Sequence, residues 1–221
     1  MKKTVILLMV SGSLGVAACG SKTDPSEKNF GAALSQYFEK KGDLCLGLTE
    51  WPIDLSEADL RVQKSWPTGT AARMAALEQA GLVQGAMTEV ERQSFFGNRT
   101  NKFTVKRYTL TDAAKPYYHE KDVSVMTLGG GAKTVKQGDL CYGKTTLDKV
   151  VKWEGPMKLG DYQEARVTYQ YQINGLANWV KRPEIRTTFP QLAKMVDGAG
   201  KDALTHAVKL TSLGWEAKGL D

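Results

Sequence analysis

The chain has 221 residues, of which 30 are Lys or Arg and 24 are Asp or Glu, so its formal net charge is +6. This mild excess of positive charge is diagnostic of no partner class, and the 42% hydrophobic content excludes a disordered chain. A chain of this length can bury a substantial core as one domain or as two small ones.

Residues 1–18 have the composition of an export signal. Lys2 and Lys3 precede an apolar run over residues 5–10, and small residues lead up to Cys19. The apolar stretch is too short to span a bilayer, and it lies where a secretory signal has its apolar centre. Removal of residues 1–18 takes two lysines away and leaves a mature net charge of +4.

The tetrapeptide Val16-Ala17-Ala18-Cys19 resembles the lipobox of bacterial lipoproteins. This resemblance implies diacylglyceryl transfer to the Cys19 sulfur, cleavage before Cys19, and acylation of the new amino terminus with a chain such as palmitate. Because Gly20 follows the cysteine instead of aspartate, the resemblance also implies sorting to the outer membrane, with the protein facing the periplasm. A plain cleaved signal and a chance cysteine are the alternatives.

The next segments predict a tether followed by helices. Residues 19–29 are polar and predict a short link between the lipid and the folded body. Apolar residues recur at helical spacing from Phe30 to Lys41, where Gly42 follows as a stop. A second helix is predicted over residues 69–80, and residues 103–111 alternate as a strand does.

Segment 68–118 resembles a winged-helix domain. Residues 71–83 are similar to the family's helix ending in Leu-x-x-Ala-Gly-Leu-Val, and residues 107–115 to the strand and turn that close the wing. The resemblance implies a two-stranded wing around residues 97–99 and a helix that presents Arg73 to DNA bases. The basic residues that would face phosphates are Arg99, Lys102, Lys106 and Arg107. Because export separates the protein from DNA, we expect the scaffold to serve protein binding or packing instead.

The remainder of the chain predicts a sheet with one packed helix. After the Gly-rich break at residues 129–131, the segments that look extended are 139–142, 148–154, 165–173 and 203–210, with Trp215 closing the sheet. Residues 183–196 predict a helix that is interrupted near Pro190 and ended by Gly198.

These elements predict an α+β fold. A winged-helix-like part over residues 30–128 is followed by a small, mainly antiparallel sheet with one helix over residues 132–221, as two parts or as one continuous domain.

Cys45 and Cys141 form an even pair in an oxidising compartment, which favours a disulfide over two buried free thiols. Each lies in a similar hexapeptide, at residues 42–47 and 138–143. A duplicated domain and two strand starts of similar sequence both explain the repetition. The carboxylates at Asp43 and Asp139 share this context, which favours a role in a turn or at a strand edge over catalysis.

Residues 138–145 match the phosphate-binding pattern Gly-x-x-x-x-Gly-Lys-Thr. We interpret this as a chance match, because residues 133–137 make a poor buried strand and an exported protein meets little nucleoside triphosphate. His119 and His206 are far apart with no ligand spacing, so the sequence predicts no metal or cofactor. No serine or cysteine nucleophile motif is present, so we predict no catalytic residue. For the tryptophans, core packing is favoured over contact with glycans.

The functional hypothesis is a lipid-anchored protein that binds a protein or cell-envelope partner without covalent chemistry. The predicted contact residues are Arg99, Lys102, Lys106 and Arg107, on one exposed face. An envelope hydrolase, an immunity or inhibitor lipoprotein, and, without export, a DNA-binding winged helix are the alternatives.

Overall fold

The computed structural model describes residues 21–93, 100–127 and 129–220. The predicted signal, Cys19 and Arg99 therefore lie outside the described residues. Within the described residues the fold is mixed, with helices packed on antiparallel sheets, as the α+β prediction requires.

The helices are α1 (Glu27–Lys41), α2 (Glu57–Arg61), α3 (Thr70–Gln79), α4 (Pro183–Thr188) and α5 (Pro190–Gly198). The strands are β1 (Asp43–Cys45), β2 (Ile53–Ser56), β3 (Val83–Gln93), β4 (Thr100–Leu110), β5 (Tyr118–Met126), β6 (Ala132–Leu159), β7 (Tyr162–Asn174), β8 (Ala203–Thr211) and β9 (Gly214–Ala217). Short 3₁₀ helices cover Asp112–Tyr117 and Asn178–Lys181.

Local signals explain where several helices begin and end. The hydroxyl of Ser26 accepts a hydrogen bond from the Asn29 amide and caps α1. The helix therefore begins at Glu27, three residues before the predicted start at Phe30. The amide of Gly42 closes the helix by donating to the carbonyl of Phe38. The predicted interruption at Pro190 is confirmed, because α4 ends at Thr188 and α5 begins at the proline, as its missing N–H allows.

The larger sheet has the strand order β1-β6-β7-β8-β9, with β5 paired to the first part of β6, and the smaller sheet has the order β2-β4-β3. β6 runs for 28 residues and joins the two extended segments predicted at residues 139–142 and 148–154. Its register with β7 shifts at three places between residues 147 and 157. The residues between the two predicted segments, 143–147, are paired with β1 and β7, so pairing with distant strands makes this stretch continuous where the local pattern does not show it.

One hydrophobic core lies between α1 and the larger sheet. Phe30 and Leu34 of α1 are completely buried there, against side chains such as Val167 and Trp215 from β7 and β9. The helix that opens the predicted winged-helix part therefore packs on the strands of the other part. The core therefore includes residues from both sides of the Gly-rich segment. A helix docks where its apolar stripe fits, whatever its distance along the chain.

The second core joins the smaller sheet to the C-terminal helices. α3 contributes Met74 and Leu77, β4 contributes Tyr108, and the segment around α4 contributes Trp179 and Ile185. Both cores therefore combine residues from the two halves of the chain.

The predicted tether is docked from Ser21 onward. The indole N–H of Trp215 donates to the carbonyl of Thr23 at 3.0 Å, and the side-chain amide of Asn29 donates to the carbonyls of Ser21 and Asp24 at 2.8 Å each. These bonds hold residues 21–29 against the body instead of leaving them as a free linker.

Candidate functional site

Cys45 and Cys141 are joined by a disulfide, as the pairing of the two cysteines predicted. They are register partners in the antiparallel pair β1 and β6, so the two similar hexapeptides lie side by side. The carboxylate of Asp139 accepts hydrogen bonds from the backbone amides of Gly47 and Leu48, at 2.8 and 3.0 Å. This aspartate therefore orders a turn, as predicted.

The match to the phosphate-binding pattern has no phosphate-binding geometry. Residues 138–145 lie within the continuous strand β6, so no loop or helix N-terminus follows the lysine at position 144. The Nζ of Lys144 instead donates to the carbonyl of Glu39 in α1 at 2.7 Å.

The β3–β4 hairpin projects beyond the smaller sheet. β2 pairs only with residues 105–108 of β4. Farther along, residues 100–104 pair only with residues 89–93, and this two-stranded segment is called the β3–β4 ribbon below. Residues 94–99, which connect its two strands in the sequence, lie outside the described residues.

Of the three predicted contact residues that the structure describes, Lys106 and Arg107 lie on opposite faces of β4. Lys102 is exposed on the ribbon, with Glu89 and Glu91 at 3.8 and 4.0 Å, whereas Arg99 lies outside the described residues. Lys106 and Arg107 are consecutive in β4, so their side chains leave opposite faces of the sheet. A single basic face including both is therefore not formed.

Lys106 and Arg107 are instead used inside the body. The ammonium of Lys106 lies 2.8 Å from a carboxylate oxygen of Glu78 in α3 and over the ring of Tyr108, and Arg107 donates two hydrogen bonds to Asp54. Burial alone would raise the pKa of Glu78, but the hydrogen bonds from Lys106 and the Gly85 amide outweigh it and lower that pKa below 4.5. The same contact with Glu78 raises the pKa of Lys106. Both groups thus serve to attach β4 to neighbouring elements.

Arg73 packs against a residue from the C-terminal half of the chain. Its guanidinium carbon lies 5.4 Å from the ring centre of Phe189, and its Nε is buried without a hydrogen-bond partner. α4 packs against α3, and Arg182 donates to the carbonyl of Gln79 at the end of α3. The helix face that the winged-helix resemblance assigns to DNA is therefore partly covered by α4 and Phe189.

A cleft of about 360 Å³ lies beside Arg73 and the disulfide. It is lined by Cys45, Leu46, Thr68, Arg73, Tyr142, Phe189, Pro190, Gln191, Leu192 and Met195. Burial raises the pKa of Tyr142 to about 12, so its hydroxyl keeps its proton at neutral pH. The described lining residues include no carboxylate or histidine, so they supply no acid–base pair. The cleft is mainly apolar, and Arg73 is the cation in its described lining.

The two histidines lie in separate surroundings. His119 is 3.9 Å from a carboxylate oxygen of Asp43, and both side chains are more than half exposed. His206 hydrogen-bonds the carbonyl of Lys218 at 2.9 Å and lies against the ring of Tyr37. Among the residues that the structure describes, no group of three or more His, Cys, Asp or Glu could hold a metal ion.

The tryptophans serve mainly in packing. Trp179 and Trp215 are buried, and Trp153 and Trp215 both contact the ring of Phe30 edge-on. Trp66 is exposed in the loop before α3.

Sequence reasoning missed an apolar surface at one end of the larger sheet. It consists of Met157, Leu159, Tyr162 and Leu213, which are 73%, 81%, 43% and 87% exposed, and is called the distal rim below. Their only signal in the sequence is the position of Leu159 and Leu213 directly before a glycine. That signal is weak because single exposed apolar residues are common.

Comparison of the chain with protein-family models, with curated proteins and with solved structures finds no match. No helix within residues 21–93, 100–127 and 129–220 is long and apolar enough to cross a membrane.

Proposed function

We propose that this chain is a bacterial lipoprotein, acylated on Cys19 and held at the periplasmic face of the outer membrane. The charged start, short apolar segment and lipobox-like Val16-Ala17-Ala18-Cys19 carry this proposal. The Cys45–Cys141 disulfide supports it, because such bonds persist in oxidising compartments such as the periplasm.

The body then acts by non-covalent binding of a protein or cell-envelope partner, and the β3–β4 ribbon is its contact surface. The observation that carries this assignment is the exposure of large apolar side chains on both faces of the hairpin. Phe103 is 47% exposed on one face of the ribbon, and Met87, which pairs with Lys106 where the hairpin joins the smaller sheet, is 64% exposed on the other face. An isolated two-stranded ribbon is marginally stable in water, so a partner that covers it would stabilise it.

Of the four basic residues predicted from the sequence, Lys102 and Arg99 remain in this proposed surface. Lys102 is exposed on the ribbon, and Arg99 belongs to the connection between its strands. Lys106 and Arg107 leave the proposed surface because their partners Glu78 and Asp54 hold them within the body.

We also propose that residues 53–110 form a winged-helix-like unit used for packing. The element order β2-α2-α3-β3-β4 and the sheet order β2-β4-β3 support the resemblance. The coverage of α3 by α4 supports packing over DNA binding.

The anchor is tested by the intact mass of the full-length protein extracted from membranes of a bacterial host. We expect a chain that begins at Cys19 and carries additional acyl mass. A matched Cys19→Ala variant should lose the acyl mass and the cleavage. An unprocessed wild-type chain that begins at Met1 would contradict the lipoprotein assignment.

Partner binding is tested by photo-crosslinking in living cells, with p-benzoylphenylalanine placed at position 103 of the full-length protein. We expect a discrete adduct of higher mass, because Phe103 is exposed on the proposed contact surface. Position 121 is the matched control, since Lys121 is exposed on the other hairpin, between β5 and β6.

The combined change Lys102→Ala and Glu89→Ala, made beside the crosslinker, should reduce adduct formation without unfolding the body, because both side chains are exposed. Equal adducts from positions 103 and 121, or none from position 103, would contradict the ribbon as the contact surface.

A further inference from the structure

The distal rim brings together apolar side chains from two neighbouring hairpins. Leu159 and Tyr162 are register partners at the turn between β6 and β7, and Leu213 lies in the turn between β8 and β9. Because β7 pairs with β8 through Glu164 and Lys209, these two turns lie at the same end of the sheet. Leu159 and Tyr162 flank one turn, Met157 lies two residues before Leu159, and Leu213 lies in the neighbouring turn, so four exposed apolar side chains gather at one end of the sheet.

The amino-terminal segment reaches the body at this same end. The backbone carbonyl of Lys22 lies 3.1 Å from the place where a Cβ on Gly214 would stand, and Gly214 has a φ of 120°. A residue with a side chain is therefore disfavoured there, next to Leu213. The bond from Trp215 to the carbonyl of Thr23 fixes the segment on the neighbouring residue.

The position of Ser21 limits where a lipid on Cys19 can reach. Cys19 precedes Ser21 by two residues, which span at most about 7 Å of extended chain. Acyl chains on Cys19 would therefore enter a bilayer beside Leu213. This step rests on the proposed lipid anchor.

The surroundings of the rim fit a phospholipid surface. Lys22 and Lys28 line a shallow depression of about 380 Å³ together with Leu213, and Lys158 is exposed within the β6–β7 hairpin. Ammonium groups beside exposed leucines are suited to phosphate headgroups above acyl chains. The ring of Tyr162 has the amphipathic character that is common at membrane interfaces, and its hydroxyl is held by Glu164.

We propose that the distal rim inserts into the interfacial layer of the membrane that holds the acylated Cys19. The body is then oriented by two attachments, the acyl chains and the rim, instead of turning freely on its lipid. Ala132 and Leu159 are the two ends of β6, so the tip of the β5–β6 hairpin and the distal rim lie at opposite ends of this strand.

The test places one environment-sensitive nitrobenzoxadiazole (NBD) dye on the full-length acylated protein in phosphatidylethanolamine/phosphatidylglycerol vesicles. The dye is attached to cysteine in a Leu213→Cys variant, or in a Met126→Cys variant as the matched control. Met126 is also highly exposed, at 80%, but it lies at the far tip of the β5–β6 hairpin. The introduced thiol reacts selectively because Cys45 and Cys141 are joined in a disulfide and the Cys19 sulfur carries lipid.

At position 213 we expect blue-shifted emission that nitroxide-labelled lipids quench, and at position 126 emission typical of water with no quenching. The shift at position 213 should decrease when Leu159→Ser is added, because the rim then loses a second apolar contact. Intact mass measured on the same sample tells whether Cys19 is acylated.

Acylated protein with water-like emission at position 213 would overturn the rim while leaving the anchor intact. Unacylated protein that still shows lipid quenching at position 213 would support the rim and contradict the anchor. Blue-shifted emission at position 213 without lipid quenching would indicate a second copy of the chain on this surface and would also overturn the proposal.

Discussion

Replacement of both Cys45 and Cys141 by alanine lowers the free energy of unfolding by about 3–5 kcal/mol, because the disulfide closes a long loop in the unfolded chain. The two cysteines are separated by 96 positions in the sequence, so the lost constraint on the unfolded state is large. Urea unfolding of the full-length protein, followed by circular dichroism, measures the difference.

Noncovalent contacts keep β1 in place in the variant. The amide of Leu46 donates to the carbonyl of Leu140, the amide of Thr145 donates to the carbonyl of Gly42, and Asp139 holds the following turn. We therefore expect the alanine variant to fold and to unfold at lower urea. Wild-type protein treated with a reductant is the control and should show a similar loss. A loss below about 1 kcal/mol in both samples would contradict the assigned role of the bond.

Phe30→Ala lowers the free energy of unfolding by about 3–5 kcal/mol, as expected for removal of a buried aromatic ring. Phe30 is completely buried, and its ring contacts Trp153 and Trp215 at centroid distances of 5.4 and 4.9 Å. Its loss leaves a cavity between α1 and the larger sheet. Urea unfolding measures the stability, and tryptophan fluorescence of the folded variant reports the altered surroundings of the two indoles.

The control for this substitution is Leu213→Ala. It removes an apolar side chain from the same end of the sheet, but one that is 87% exposed, so the change should stay within about 0.5 kcal/mol. If the two variants had equal stability, the packing of α1 against this sheet would be wrong.

Several features of the fold follow from signals close together in the sequence. Ser26 and Gly42 mark the ends of α1, and Pro190 divides the C-terminal helical segment, because capping hydrogen bonds and the missing proline N–H act over a few residues. The disulfide was predicted from two cysteines and an oxidising compartment, without geometry. The helix predicted over residues 69–80 corresponds to α3.

The candidate surfaces depend on contacts between distant segments. In the sequence, Lys106 and Arg107 look as available for contacts as Lys102. In the structure, however, Lys106 pairs with Glu78 of α3, and Arg107 pairs with Asp54 of β2. Arg73 looks accessible on its helix until Phe189, more than a hundred residues later, packs against it. No local pattern reports these partners.

From its own residues, the sequence indicated an export signal, the stop of α1 at Gly42, the break at Pro190, an antiparallel α+β class and a cysteine pair. Helix stops and hydrophobic periodicity determine the helix ends and the strands, because they act over one or two helical turns or along one strand. Only the tertiary structure decided that α1 packs on the larger sheet and that Lys22 and Thr23 lie against Gly214 and Trp215, next to Leu213. The physical reason is that burial and ion pairing depend on which surfaces meet, and surfaces distant in sequence meet only when the chain has folded.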